Sequence, residues 1–353
     1  MILSSLSPFQ RSLRIYAPLL AVTAGFVVFV VVTALSLGAS AGDFILLLSY
    51  SKSFNRFLPL IPLVFFLFWF VRVLYERRQD GFAAGIQHFE DFISSYVRSE
   101  RFWNIVWGIS IVFFLSLFFS LGKSLIPHLT TYSWDPLFAQ WDRAVHFGHY
   151  PHEFIAPLVN ATGVPEVTGY VYFSFYIYLF LMSVYAVFFE KDPRRVHQFL
   201  WGYVLSWIVY GMGAATLLAS VGPVFYGRFF EGVDPYAGYV QELMAVAKAH
   251  DIGMVAAYDV IYEWAVDESV IDLNGISAMP SMHVALVALG VFYFWDEGWC
   301  ARAGMIIYLA LTILCTVYLA LHYAIDAYAS IALVAVLWWG IGCALEKMHV
   351  ETS

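Results

Sequence analysis

Apolar runs long enough to cross a lipid bilayer recur along the chain, at residues 15–38, 57–75, 103–121, 168–189, 197–220, 280–296, 303–321 and 323–346. In hydrocarbon every backbone N–H and C=O must be satisfied inside the protein, so only helices and closed barrels span. These runs are continuous rather than alternating, which excludes barrel strands and predicts about eight helical spans. The expected fold class is all-α, a polytopic transmembrane helical bundle. Of the 353 residues, 61% are hydrophobic and 12% charged, too little charge for a soluble domain of this length. A net charge of −8 leaves no basic surface for nucleic acid.

The first run, Ile15 to Leu37, follows Arg11 and Arg14 and ends in "GASAG", a loose likeness of a signal-peptidase site. A signal peptide's apolar core is about 7–15 residues. This run is long enough to span, so a retained helix is expected. Lys and Arg in short loops set orientation. Arg11 and Arg14 precede the first span, and Arg72, Arg77, Arg78, Arg98 and Arg101 flank the second connection. "EKDPRRVH" (Glu190–His197) joins the fourth and fifth spans, Arg302 joins the sixth and seventh, and Lys347 follows the eighth. Eight spans put all of these on one side, which predicts cytoplasmic N- and C-termini. The connection Val221–Met279 falls on the periplasmic or lumenal side, and it holds Arg228 and Lys248 against nine acidic residues.

Three stretches read as interfacial. Phe82, Ile86, Phe89, Ile93 and Val97 recur near helical spacing within Gly81–Arg101, an amphipathic segment for the cytoplasmic surface. Trp134, Leu137, Phe138, Trp141 and Val145 make a second apolar face, with Asp135, Asp142 and Arg143 expected on its solvated side. The third is Glu231–Trp264. The expected division is residues 1–102 as a two-span N-terminal extension and 103–353 as a membrane catalytic domain. Cys300, Cys315 and Cys343 show no paired spacing and read as packing residues without a disulfide. His146, His149 and His152 stand at three-residue spacing, but Pro151 interrupts the helix and no cysteines complete a site, so no metal is expected.

Polar clusters interrupt the second half of the membrane domain. The fifth span ends in "SVGPVFYG", the sixth begins with "AMPSMHVA", and the last two meet at "LHYAIDAY". The topology gathers these helix ends at one membrane face with His283, His322 and Asp326. Residues i and i+4 share a helix face, so Asp326 can fix the tautomer of His322 and leave its other nitrogen nucleophilic. His283 can then act as general acid. Pro280 suits a first helical turn, whose free N–H groups, with Ser281, make an anion site. Ionisable residues in spans are costly and usually functional. Gly222 and Pro223 either end a helix or line the substrate site, and Tyr323 joins the candidate substrate-binding set.

"PSMH" followed about 40 residues later by "HYAID" resembles the type 2 phosphatidic acid phosphatase superfamily. The likeness covers roughly Leu121–Leu345, includes "TYSWDPLFAQWDRAVHFG", and is closer to the inositol phosphorylceramide synthase and sphingomyelin synthase branch. The resemblance implies a six-helix core, a phosphohistidine on His322, Asp326 as its orienting group and His283 as proton donor. It implies no cofactor, with a membrane phospholipid and a lipid hydroxyl acceptor as partners.

The chain departs from the superfamily's phosphatases at two places. Their Lys-x6-Arg-Pro motif is replaced by "GPVFYG", and their Ser-Arg pair before the nucleophile by Cys315 and Thr316. Phosphomonoesters are dianions near neutral pH and usually need several cationic clamps. A phosphodiester carries one charge and needs fewer. The sequence therefore favours a lipid phosphotransferase that moves a phospho-headgroup, inositol phosphate by resemblance, with a lipid phosphate phosphatase or a non-catalytic lipid-binding or transport protein as alternatives. Arg228, or else Lys123 or Arg143, would supply the positive charge.

Overall fold

The computed structural model describes residues 6–40, 82–266 and 275–352, together with positions 42, 44, 67, 70, 71 and 75. The run at 57–75 and the basic cluster Arg72, Arg77 and Arg78 lie outside the described residues, apart from those few positions. The described elements are helices: α1 (Pro8–Ser36), α2 (Phe82–Val97), α3 (Glu100–Ser124), α4 (Asp135–Val145), α5 (His152–Ala161), α6 (Val167–Phe189), α7 (Pro193–Leu217), α8 (Ala237–His250), α9 (Tyr258–Val266), α10 (Met282–Tyr293), α11 (Trp299–Tyr318) and α12 (Ala324–Thr352). Six are long and apolar enough to cross a membrane: α1, α3, α6, α7, α11 and the Ala324–Lys347 part of α12. The protein is an all-α polytopic membrane protein in contact with the bilayer.

The run at 280–296 corrects the sequence reading in one respect. Its helix, α10, has 12 residues, about 18 Å at 1.5 Å per residue, against a hydrocarbon core of about 30 Å. Val284 to Leu289 are each at most 2% exposed. Its apolarity therefore reflects protein neighbours on every side rather than lipid. Small residues allow this packing: Gly202 of α7 lies against Leu289, and Gly290 against Tyr178 of α6.

The chain divides into two compact units, Met1–Phe29 with Gly38–Leu117, and Val30–Leu37 with Phe118–Ser353. In the first, Arg11 pairs with Glu100 at 3.0 Å, Ser12 bonds Asn104 at 2.6 Å, and Phe9 meets Trp103 edge-on.

In the second unit α6, α7, α10, α11 and α12 run alternately up and down, and polar contacts mark both ends. At one end Asp192 caps α7 by accepting from the Arg194 N–H at 2.9 Å, with Pro193 in the first turn. Arg195 there pairs with Glu190 and Glu297 and donates to the Tyr293 carbonyl, while Arg194 pairs with Glu346. The "EKDPRRVH" loop thus ties the end of α10, the start of α11 and the end of α12. The opposite end carries the loops Ser220–Phe225, Gly275–Ser281 and Leu319–Tyr323.

Of the cysteines only Cys315 is buried; Cys300 and Cys343 are exposed, so the packing role holds for one of the three.

Candidate active site

Three loops are stitched together at this second end. The Ala278 N–H donates to the Ser220 carbonyl at 3.0 Å, the Met279 N–H to the Ser220 hydroxyl at 3.1 Å, and the Val224 N–H to the Ala320 carbonyl at 2.8 Å. Ala320 ends α11 in the left-handed region, φ +51°, a conformation costing a non-glycine residue about 1–2 kcal/mol. Tyr258 holds this turn from outside by donating to the Leu319 carbonyl at 2.5 Å, and Tyr239 donates to that of Tyr318. The turn delivers His322 to the start of α12.

The His322 Nδ1 lies 2.8 Å from the Ala278 carbonyl and 3.2 Å from Asp326 Oδ2. A carbonyl only accepts, so Nδ1 carries the proton and Nε2 keeps its lone pair. The shorter of the two bonds goes to a backbone carbonyl that no side-chain motif announces. Asp326 is fully buried, and its Oδ2 also accepts from the Tyr323 N–H at 3.0 Å. The His283 ring centroid is 6.3 Å from that of His322. His283 packs against Tyr172 at 4.3 Å and Phe175 at 4.2 Å, and its buried Nε2 has no hydrogen-bond partner among the described residues.

Asp135 and Asp142 overturn the expectation of a solvated face. They are 0% and 2% exposed. Asp135 accepts from the Val221 N–H at 3.0 Å, the Gly222 N–H at 2.9 Å and the Tyr323 hydroxyl at 2.8 Å. Asp142 accepts from the first N–H groups of α12, those of Ala324 at 3.3 Å and Ile325 at 3.1 Å. These are the N–H groups that a helix cannot satisfy internally. Helix α4 therefore clamps the Val221–Gly222 loop and the start of α12, directly after His322. Burial pushes both carboxyls up to about 6, with their N–H donors offsetting part of the rise.

The remaining candidates are placed as follows. Pro280 is buried and precedes the helix rather than sitting in its first turn, because Ser281 takes the cap and accepts from the Val284 N–H at 3.5 Å. The Met279–Pro280 peptide is cis. Gly222 has φ +83°, and a Cβ there would lie 2.5 Å from the Leu321 carbonyl oxygen, so glycine is required for close approach of the two loops. Its N–H and the Tyr323 hydroxyl are both engaged by Asp135. Pro223 opens a buried single turn, Pro223–Phe225. Arg228 is paired with Asp259 at 2.7 Å and lies over the Tyr262 ring, so its charge is neutralised within its own loop. Arg143 donates to the Gly148 carbonyl.

The three histidines of "HFGHYPHEF" point to different partners. His146 bonds the Asp142 carbonyl and the Tyr328 hydroxyl, His149 bonds Glu153, and His152 stacks on Tyr239. Burial lowers His152 to about 4. Among the described residues no three His, Cys, Asp or Glu side chains gather in a way that could hold a metal ion.

Residues 137–340 match the family model of the PAP2 superfamily, and the chain belongs to that superfamily. The matched span runs from α4, whose first two residues precede it, through His283, His322 and Asp326 into α12. No curated protein and no solved structure matches the chain.

Proposed function

We propose that this PAP2 superfamily member cleaves lipid phosphate esters through a phosphohistidine on His322. Family membership supports lipid-phosphate chemistry in a membrane helical protein. One observation carries the residue assignment: Nδ1 of His322 is held between a carbonyl and a carboxylate, which leaves Nε2 as the nucleophile. In the first step Nε2 attacks phosphorus, the P–O bond to the lipid breaks, and His283 gives its proton to the departing oxygen. In the second step His283 takes a proton from the acceptor as its oxygen attacks phosphorus, and His322 is released. Asp326 stabilises the charge that develops on the imidazole.

With water as acceptor the enzyme is a lipid phosphate phosphatase, and superfamily membership favours this outcome. A second reading, a phosphotransferase with a lipid hydroxyl as acceptor, is favoured by the scarcity of cations. Thr316 stands where the phosphatases carry arginine, is buried, and bonds its own helix at the Ile313 carbonyl. Arg228 is neutralised by Asp259. In that reading a singly charged phosphodiester is the donor, and resemblance to the inositol phosphorylceramide branch makes inositol phosphate the transferred group. The basic loops orient the protein with both termini cytoplasmic and the site on the periplasmic or lumenal side.

Purified protein given phosphatidic acid, or phosphatidylinositol plus a hydroxyl-bearing lipid, separates the two. Free phosphate from phosphatidic acid supports the phosphatase. Headgroup transfer without phosphate release supports the transferase. Turnover of neither excludes both.

A further inference from the structure

The arginines of the second unit are committed elsewhere: Arg143 to the Gly148 carbonyl, Arg194 to Glu346, Arg195 to Glu190 and Glu297, Arg228 to Asp259, and Arg302 over the Trp295 ring. Lys191, Lys248 and Lys347 are exposed. Lys123 differs from all of these. It sits half-buried in the last turn of α3, and among the described residues it has no hydrogen bond or ion pair.

Its position brings it to the histidines. The Lys123 carbonyl presses on Gly275, where no side chain would fit. From Gly275 the chain runs through Ser277 and Ala278 to Ser281 and His283. One turn earlier on the same face of α3, Phe119 lies against Gly211, with the Met282 sulfur alongside. Lys123 is within electrostatic reach of His283. Within the loop and helix from Gly275 to His283, Ser277 Oγ and His283 Nε2 are buried without partners among the described residues, as is Asp326 Oδ1 of α12. Buried polar groups are normally satisfied, and a desolvated cation is costly alone. An ammonium, a hydroxyl and a ring nitrogen left unpaired around one loop match the oxygens of a phosphate.

We propose that Lys123, with Ser277, binds the non-bridging oxygens of the substrate phosphate and supplies the positive charge that the missing Lys-x6-Arg-Pro motif provides elsewhere in the superfamily. The inference rests on the reading of His322 as nucleophile, because that places the phosphate beside His283. A single ammonium neutralises a single negative charge, so it suits a phosphodiester better than a dianionic monoester.

The test is calorimetric titration of inorganic phosphate into the full-length protein in detergent, for wild type, Lys123→Met, Lys123→Arg and His322→Ala, each first shown to be folded by gel filtration and thermal unfolding. Loss of one charge-assisted contact weakens binding by at least about tenfold. Wild type and His322→Ala are expected to bind phosphate, Lys123→Met to lose at least that factor, and Lys123→Arg to retain most of the affinity. Lys123→Met binding as wild type does, Lys123→Arg losing as much as Lys123→Met, or wild type failing to bind would each overturn the proposal. Lipid turnover is measured on the same samples. Turnover surviving in His322→Ala would sink the nucleophile assignment while leaving the phosphate site standing. Unchanged phosphate binding in Lys123→Met, with turnover lost in His322→Ala, would do the reverse.

Discussion

Replacing Asp135 separates a clamp from an ordinary buried carboxylate. Its carboxylate serves three donors, the Val221 and Gly222 N–H groups and the Tyr323 hydroxyl. In Asp135→Ala all three stay buried without an acceptor, at about 1–3 kcal/mol each, roughly 6 in total. Against this, burial raises the carboxyl to about 6, so holding it ionised at pH 7 costs about 3 kcal/mol relative to an ordinary carboxylate. Alanine removes that cost, and the net loss is about 3 kcal/mol. Asn keeps one oxygen. Placed at Oδ1, that oxygen is still within reach of all three donors, the Val221 N–H at 3.0 Å, the Gly222 N–H at 2.9 Å and the Tyr323 hydroxyl at 2.8 Å. The amide nitrogen then replaces Oδ2, to which the Val221 N–H also donates at 3.0 Å, so one donor faces another. The donor-to-donor contact at Val221 and the removed ionisation cost act in opposite directions, so Asp135→Asn is expected to be clearly more stable than Asp135→Ala and within about 1–2 kcal/mol of wild type. Thermal unfolding in detergent reads the difference. Turnover in Asp135→Ala should fall about 100-fold, because the loops carrying Ser220 and His322 lose their shared anchor. An alanine variant as stable as wild type, or an Asn variant less stable than the alanine one, would refute the clamp.

Three further outcomes are expected. Asp326→Asn keeps the fold but weakens control of the His322 tautomer, and kcat falls on the order of 10⁴-fold by analogy with hydrolytic triads; near-native turnover in the purified variant contradicts the role. Gly222→Ala forces a Cβ to within 2.5 Å of the Leu321 carbonyl at φ +83° and should cost more than about 1–2 kcal/mol in thermal unfolding. The third concerns pH. Asp135 and Asp142 are raised to about 6 in the fold, so between about pH 4 and 6 the folded state binds more protons than the unfolded chain. Their contribution to stability is then greatest at the acid end, falls as pH rises through 6, and is flat above. Asp142→Asn should flatten that slope, and an unchanged slope would remove Asp142 as its source.

Six of the eight expected spans were legible because apolar length is a local pattern; the run at 280–296 proved a short buried helix, and 57–75 lies mostly outside the described residues. The nearness of His283 to His322 was legible from motif spacing at helix starts. Helix α4 was misread for a physical reason. Asp135, Phe138, Ala139 and Asp142 share one face, and Leu137, Trp141 and Val145 lie round the helix from it. In water the apolar face turns inward. Here Trp141 and Val145 are exposed, and the face bearing both aspartates meets the protein, where backbone N–H groups need acceptors. The seven-residue spacing of the aspartates was the available signal. The Ala278 carbonyl that holds His322 has none, because a backbone acceptor leaves no mark in a side-chain pattern. The isolation of Lys123 was equally hidden, since it appears only once the arginines are seen to be paired. Arg228 illustrates this: its partner Asp259 is 31 residues away in sequence, too far for any local reading.

The claim common to both proposed acceptors is a covalent phosphohistidine on His322. Purified protein mixed with phosphate-labelled phosphatidic acid, or with phosphate-labelled phosphatidylinositol, can be quenched in alkali within a turnover and digested for mass spectrometry. Label is expected on the peptide carrying His322, lost in acid, and absent from His322→Ala. Turnover of either lipid with no label on the protein, or with label on a residue other than His322, would contradict it.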